Sequence, residues 1–240
     1  MARARKRHVQ QEMVFRTHGG RRAGAGRKQV KPLKSAPHRL RAALSASNPV
    51  HVVLRVERDI GSLRKRDCFL AIRFALGVVL ARPDFRIVHI SIQRTHIHLI
   101  VEATDQKCLA RGLQAFQISA ARALNAAITA RGTRRRGRVF VDRYHPEVIT
   151  SPRQARHCLS YVLNNWRKHR ENERYVARTW KLDPYSSAMA FYGWAEQPAY
   201  WSAPESYERL MVSAPETWLL HGALQRFDPI SMYEVPGGTS

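Results

Sequence analysis

The chain has 240 residues, 44% of them apolar, which is material for a core, and 41 Lys and Arg against 18 Asp and Glu leave a formal charge of +23. Its longest apolar run, Phe74 to Ala81, is far below the roughly 20 residues needed to cross a bilayer, and the basic start from Met1 to Arg7 leads into no apolar stretch of the signal-peptide kind. Cys68, Cys108 and Cys158 are isolated, without C-x-x-C spacing, so they read as small apolar residues of a reducing, cytoplasmic compartment and not as a disulfide or zinc framework.

Residues 1–41 carry 13 basic side chains and one acidic one, Glu12, and include the Gly- and Arg-rich stretch from Gly19 to Lys28. Such a segment buries too little apolar surface to offset the entropy of ordering, so 1–48 reads as a disordered basic arm able to contact phosphates. Residues 49–183 form the expected domain. His51 to Val56 is β-branched and suits a strand. Arg66 to Leu80 has Phe69, Ile72, Leu76, Val79 and Leu80 at helical spacing, with Pro83 just beyond. Phe85 to Ile92 and His96 to Glu102 read as two strands joined through Gln93, Arg94 and Thr95.

A second helix follows, capped by Thr104, with Leu109, Leu113, Phe116, Ala120 and Leu124 on one stripe. The arginine-rich stretch from Arg131 to Arg138 must be a surface loop, and Val139 to Val148 reads as a fourth strand. Ser151, Pro152 and Gln154 then make a strong helix start, with Ser at the cap and Gln placed for a capping box. Two crossovers around a central hairpin predict an α+β fold, a ferredoxin-like split βαβ antiparallel sheet with an added C-terminal catalytic helix. Residues 184–240 are dense in aromatics and prolines and net acidic; they read as a wrapping extension without assigned chemistry.

Side chains alternate across a strand, so His96, His98, Ile100 and Glu102 share one face, while Ile97, Leu99 and Val101 share the other and should pack under the helices. Two imidazoles roughly 7 Å apart on one face can point at one divalent cation and leave positions open for water or substrate. In the last helix, Ala155, Cys158, Leu159, Val162, Leu163 and Trp166 form the apolar stripe, whereas His157, Tyr161, Asn165 and Lys168 fall on a different, polar face. A core tyrosine would sit in the stripe. Tyr161 does not, and an amide able to ligate a metal, Asn165, follows one turn later. Tyr144 is a rival nucleophile, at a strand position without an amide four residues on.

The block from His96 to Val101, with Tyr161 to Asn165 some sixty residues later, resembles the HUH single-tyrosine transposases, most of all the branch associated with repetitive extragenic palindromes (REP) in bacteria. The resemblance covers roughly residues 48–170. It implies a metal-dependent enzyme, with Mg²⁺ or Mn²⁺ held by His96, His98 and Asn165, in which Tyr161 cleaves and rejoins single-stranded DNA near hairpins through a 5′-phosphotyrosine. Two positions depart from the family pattern. Arg94 and Thr95 stand where a Pro-Asn pair often precedes the first histidine, and Trp166 stands where a proline often follows the metal-binding amide, so this helix is expected to run on.

A phenol is a weak acid, and His157, one turn before Tyr161, is the candidate base. Arg94, the basic arm and the loop arginines Arg134, Arg135, Arg136 and Arg138 are the candidate DNA contacts, since a basic groove with aromatic stacking suits single strands. The expected partner is single-stranded or hairpin DNA, with no membrane, in a cytoplasmic, nucleoid-associated bacterial protein; monomer and homodimer are both open. Two alternatives share the motif: a non-catalytic, domesticated nucleic-acid binder, and a relaxase or replication-initiator nickase. The latter commonly places its tyrosine early in the chain or uses two.

Overall fold

Strand β1 (Val50–Arg55) lies inside a four-stranded sheet of order β2-β3-β1-β4, with β2 Phe85–Ile92, β3 His96–Ala103 and β4 His145–Val148, and every neighbouring pair is antiparallel. The structure is a computed structural model that describes residues 43–132, 134–173, 180–196, 203 and 205–237. All of these fall in one unit of the chain, Arg39–Ser240; the other, Met1–His38, and with it nearly all of the expected arm, lies outside the described residues. Helix α1 (Arg66–Leu80) joins β1 to β2, and α2 (Gln106–Ala130) joins β3 to β4. This is the split βαβ arrangement, α+β with an antiparallel sheet, and α3 (Pro152–Leu163) is the added helix.

The period of two in β1 and β3 sorts side chains between two cores. Val50, Val52, Leu54, Ile97, Leu99 and Val101 join Ile72, Leu76, Leu113, Phe116 and Leu124 under α1 and α2. Gly112 is needed there, because a Cβ would stand 2.1 Å from the Phe85 ring. The opposite face is also covered. Val88 and Ile100 pack with Ala155, Leu159, Val162 and Leu163 of α3 and with Trp194, Leu219, Leu220, Ile230 and Met232 of the C-terminal segment. A bulge between Ile87 and His89 interrupts the register of β2, so Val88 serves the second core while Ile87 and Ile90 serve the first.

Three local expectations are corrected. Asp105, not Thr104, caps α2: its carboxylate accepts the Cys108 N–H at 2.7 Å. The fourth strand is split. Val139 and Val141 bond to the backbone of Glu57 and Arg55, the chain bends through residues 141–143, and pairing with β1 resumes only at His145–Val148, where Pro146 is tolerated because this is the sheet edge.

The last helix does not run on unbroken either. It stops at Leu163, turns at Asn164 (φ −103°, ψ 11°), whose side chain donates to the Ser231 carbonyl at 3.0 Å, and makes one further turn, α4 (Asn165–Lys168). Arg170 at φ 54° then sends the chain away in the left-handed region.

Candidate active site

The register of β1 against β3 puts Arg55 opposite His96, Val53 opposite His98 and His51 opposite Ile100. The faces follow the alternation, so His96 and His98 lie on the side covered by α3. Their ring centroids are 4.7 Å apart and nearly perpendicular. His98 is buried, and His96 lies partly exposed near the hairpin turn.

Helix α3 is held at its start by a modified capping box. Ser151 Oγ accepts the Gln154 N–H at 3.2 Å, and Gln154 Oε1 reaches back one residue further than usual, to the Thr150 N–H at 2.9 Å. From this anchored start the apolar stripe turns into the second core, and Tyr161, half-buried, reaches the histidines. Its ring stands edge-on to His98, 5.2 Å between centroids, and to His51, 5.9 Å. Lys168 Nζ lies 4.9 Å from the centre of the Tyr161 ring, and the exposed His169 ring lies 5.8 Å from His96.

Asn165 is fully buried, and neither its amide nitrogen nor its carbonyl oxygen has a hydrogen-bond partner; the same is true of His98 Nε2. Buried polar atoms are normally paired, and leaving one unpaired costs roughly 1–3 kcal/mol, so each of these atoms is one that a ligand would satisfy. Burial also pushes the imidazoles toward their neutral form: His96 down to about 4, helped by His169 and Arg55, and His98 further, helped by His96 and His51. Neutral imidazoles with open lone pairs fit a cation. Among the described residues no group of three His, Cys, Asp or Glu side chains is placed to hold a metal.

His51 is the residue sequence reasoning missed. Its Nε2 lies 3.1 Å from His98 Nδ1, and the two rings stack 5.3 Å apart at 15°. Period-two alternation places it on one face of β1, but only the inter-strand register brings it beside His98. His51, His98, His157 and Tyr161 share a cavity of about 1200 Å³ with Glu147, Arg153 and Glu234. The rival Tyr144 packs against the first core, on the other side of the sheet.

The candidate DNA contacts divide. Arg94 Nε donates to Glu171 Oε1 at 2.7 Å beside the histidine hairpin. Arg135 is committed to structure: it bonds Asn125 Oδ1 and the Arg138 carbonyl and pairs with Asp59 at 3.1 Å, leaving its side chain 9% exposed. Arg138 pairs with Glu57 and Asp142 at the surface, and Arg134 and Arg136 are exposed. None of these five arginines lines the cavity that holds Tyr161.

No protein-family model and no curated protein matches this sequence. The fold does have counterparts among solved structures. A REP-associated tyrosine transposase bound to a REP hairpin is similar over 74% of this chain and 99% of its own, with 16% identity and a TM-score of 0.50. A candidate transposase from Deinococcus radiodurans is matched over 52% of this chain and 92% of its own, with 15% identity and a TM-score of 0.35. The chain therefore shares the fold of the REP-associated tyrosine transposase. No helix among the described residues is long and apolar enough to cross a membrane.

Proposed function

We propose that this chain is a DNA strand transferase of the HUH single-tyrosine type, cleaving and rejoining single-stranded DNA through Tyr161 at a divalent-cation site made by His96, His98 and Asn165. The observation that carries it is Tyr161 standing edge-on to His98, itself beside His96, with a buried amide whose atoms have no protein partner four residues further along the chain. The shared fold and the charge of +23 support the same reading. Two imidazoles favour Mn²⁺ over Mg²⁺ in affinity.

A bound divalent cation supplies Lewis acidity, drawing charge from a non-bridging phosphate oxygen. The protein's part is to supply and aim the nucleophile. Tyr161 Oη forms a bond to phosphorus while the bond from phosphorus to O3′ breaks; the phenolic proton is lost, and the departing oxygen gains a proton to become a free 3′-OH. The 5′ end stays on the protein as phosphotyrosine, which conserves the ester for the reverse attack by a 3′-OH at a new junction. Lys168 places a positive charge beside the Tyr161 ring, where the phosphate must approach. His157 lines the same cavity and is the candidate base. A cationic body suits a polyanion, and the similar transposase was bound to a REP hairpin, so hairpin-bearing single-stranded DNA is the proposed substrate.

The test is incubation with a hairpin-bearing single-stranded oligonucleotide and Mn²⁺. A covalent protein–DNA adduct is expected, lost in Tyr161→Phe and in EDTA. An adduct that survives in Tyr161→Phe would overturn the nucleophile. Tight binding without any adduct, across a panel of hairpins, would point to a non-catalytic nucleic-acid binder.

A further inference from the structure

We propose that His51 is a positioning residue, which fixes the tautomer of His98 through the contact between His51 Nε2 and His98 Nδ1 and so turns the His98 Nε2 lone pair toward the cation. This rests on the cation site proposed above.

A neutral imidazole carries one proton on one of two nitrogens, and the environment selects which. At His98 the two nitrogens meet opposite surroundings. Nδ1 has His51 Nε2 at 3.1 Å, and Nε2 is buried with no partner. With the proton on Nδ1, His98 donates to His51 and leaves Nε2 as an open lone pair. With the proton on Nε2, a buried N–H would face no acceptor. Both arrangements leave Nε2 without a protein partner; only the first, with His51 Nε2 accepting, presents it as a lone pair able to ligate a metal.

His51 is well placed for this. It projects from β1, paired on both sides, with β3 and β4, and its ring stacks on His98 while meeting Tyr161 edge-on. One side chain thus touches both a proposed ligand and the proposed nucleophile without being either. Its other nitrogen, Nδ1, lies 3.9 Å from Glu147 Oε2, too far for a direct hydrogen bond, and that carboxylate is 70% exposed. The assignment stands on the His51–His98 contact alone. An outer partner of this sort sets ring orientation and ligand basicity, and losing it typically weakens metal binding ~10- to 100-fold.

The experiment uses the full chain with Mn²⁺ alone as probe. Calorimetric titration should show His51→Phe, which keeps a ring and removes the hydrogen bond, binding Mn²⁺ ~10- to 100-fold more weakly, and His51→Gln, whose carbonyl can accept from Nδ1, recovering most of the affinity. Excess Mn²⁺ should restore adduct formation by His51→Phe. Nitrogen-15 NMR of the metal-free wild type should show His98 protonated at Nδ1, a measurement that decides the matter even where His51→Phe fails to fold. His98 protonated at Nε2, or His51→Phe binding Mn²⁺ as the wild type does, would overturn the role of His51 alone. A wild type that binds no Mn²⁺ would overturn the cation site and this role with it.

Discussion

Arg94 and Glu171 join the turn just before the paired histidines to the turn just after Asn165, through a hydrogen bond of 2.7 Å. Glu171 is buried and also faces Arg64 at 3.9 Å, and Arg64 clasps both oxygens of the buried Asp183 at 3.0 and 2.7 Å. These ion pairs tie the hairpin turn before His96 to the segment that follows α4.

Breaking this network should be costly. Asp183→Ala leaves the Arg64 guanidinium, 7% exposed, without its bidentate partner, and removing one member of a buried pair costs roughly 3–5 kcal/mol. Urea denaturation should show a loss of that size. Arg94→Ala, whose side chain is 46% exposed, should cost far less; equal losses would mean that the network does not carry stability as described.

Asn165→Leu should separate stability from function. The native amide is fully buried without partners, and a buried unsatisfied polar group costs roughly 1–3 kcal/mol. A leucine of similar volume should therefore raise the melting temperature in EDTA while abolishing the covalent adduct in Mn²⁺. A variant less stable in EDTA than the wild type would mean that the amide is satisfied after all.

Stability should fall on acidification through His89. This imidazole is buried on β2 beside Ser187, 3.2 Å from Nδ1 to Oγ, and burial lowers its pKa from 6.5 to about 4. Between those values the unfolded chain binds more protons than the folded one, so stability rises with pH in that window. It is complete above pH 6.5 and shrinks as pH falls toward 4, by roughly 3 kcal/mol from this residue. His89→Asn, which cannot titrate but can keep the bond to Ser187, should shrink the difference between urea midpoints at pH 7 and pH 4.5, the remainder coming from the other buried imidazoles, His96 and His98. An unchanged difference would remove His89 from the account.

The loop arginines should not behave alike. Arg134→Ala with Arg136→Ala should leave the melting temperature unchanged and lower the salt dependence of DNA binding by about one unit of slope for each phosphate no longer neutralised. Arg135→Ala should instead lower the melting temperature, because its side chain closes the loop onto Asn125 and Asp59. DNA affinity insensitive to the double variant would move the groove elsewhere.

The parts legible in the sequence were those set by local periodicity. His96 and His98 on one face of β3 and the apolar stripes of α1 and α2 follow from side-chain alternation and helical spacing. The Ser151 start of α3 follows from capping chemistry. What stayed hidden depends on partners distant in the chain. His51 acquires meaning only when β1 registers against β3, forty-seven residues away from His98. The halt at Leu163 is sealed by Asn164 bonding to Ser231 across sixty-seven residues. Spacing puts Asn165 on the polar face of the helix; it is fully buried, and the helix breaks one residue before it.

The second core has a consequence for how the protein is made. Helix α3, which carries Tyr161, packs on residues as late as Leu219, Ile230 and Met232. Ribosomes add roughly 5–20 residues per second, so for several seconds after Tyr161 is polymerised its helix lacks the apolar surface that seats it. The α3 face of the sheet therefore gains its full apolar cover only after these late residues are made.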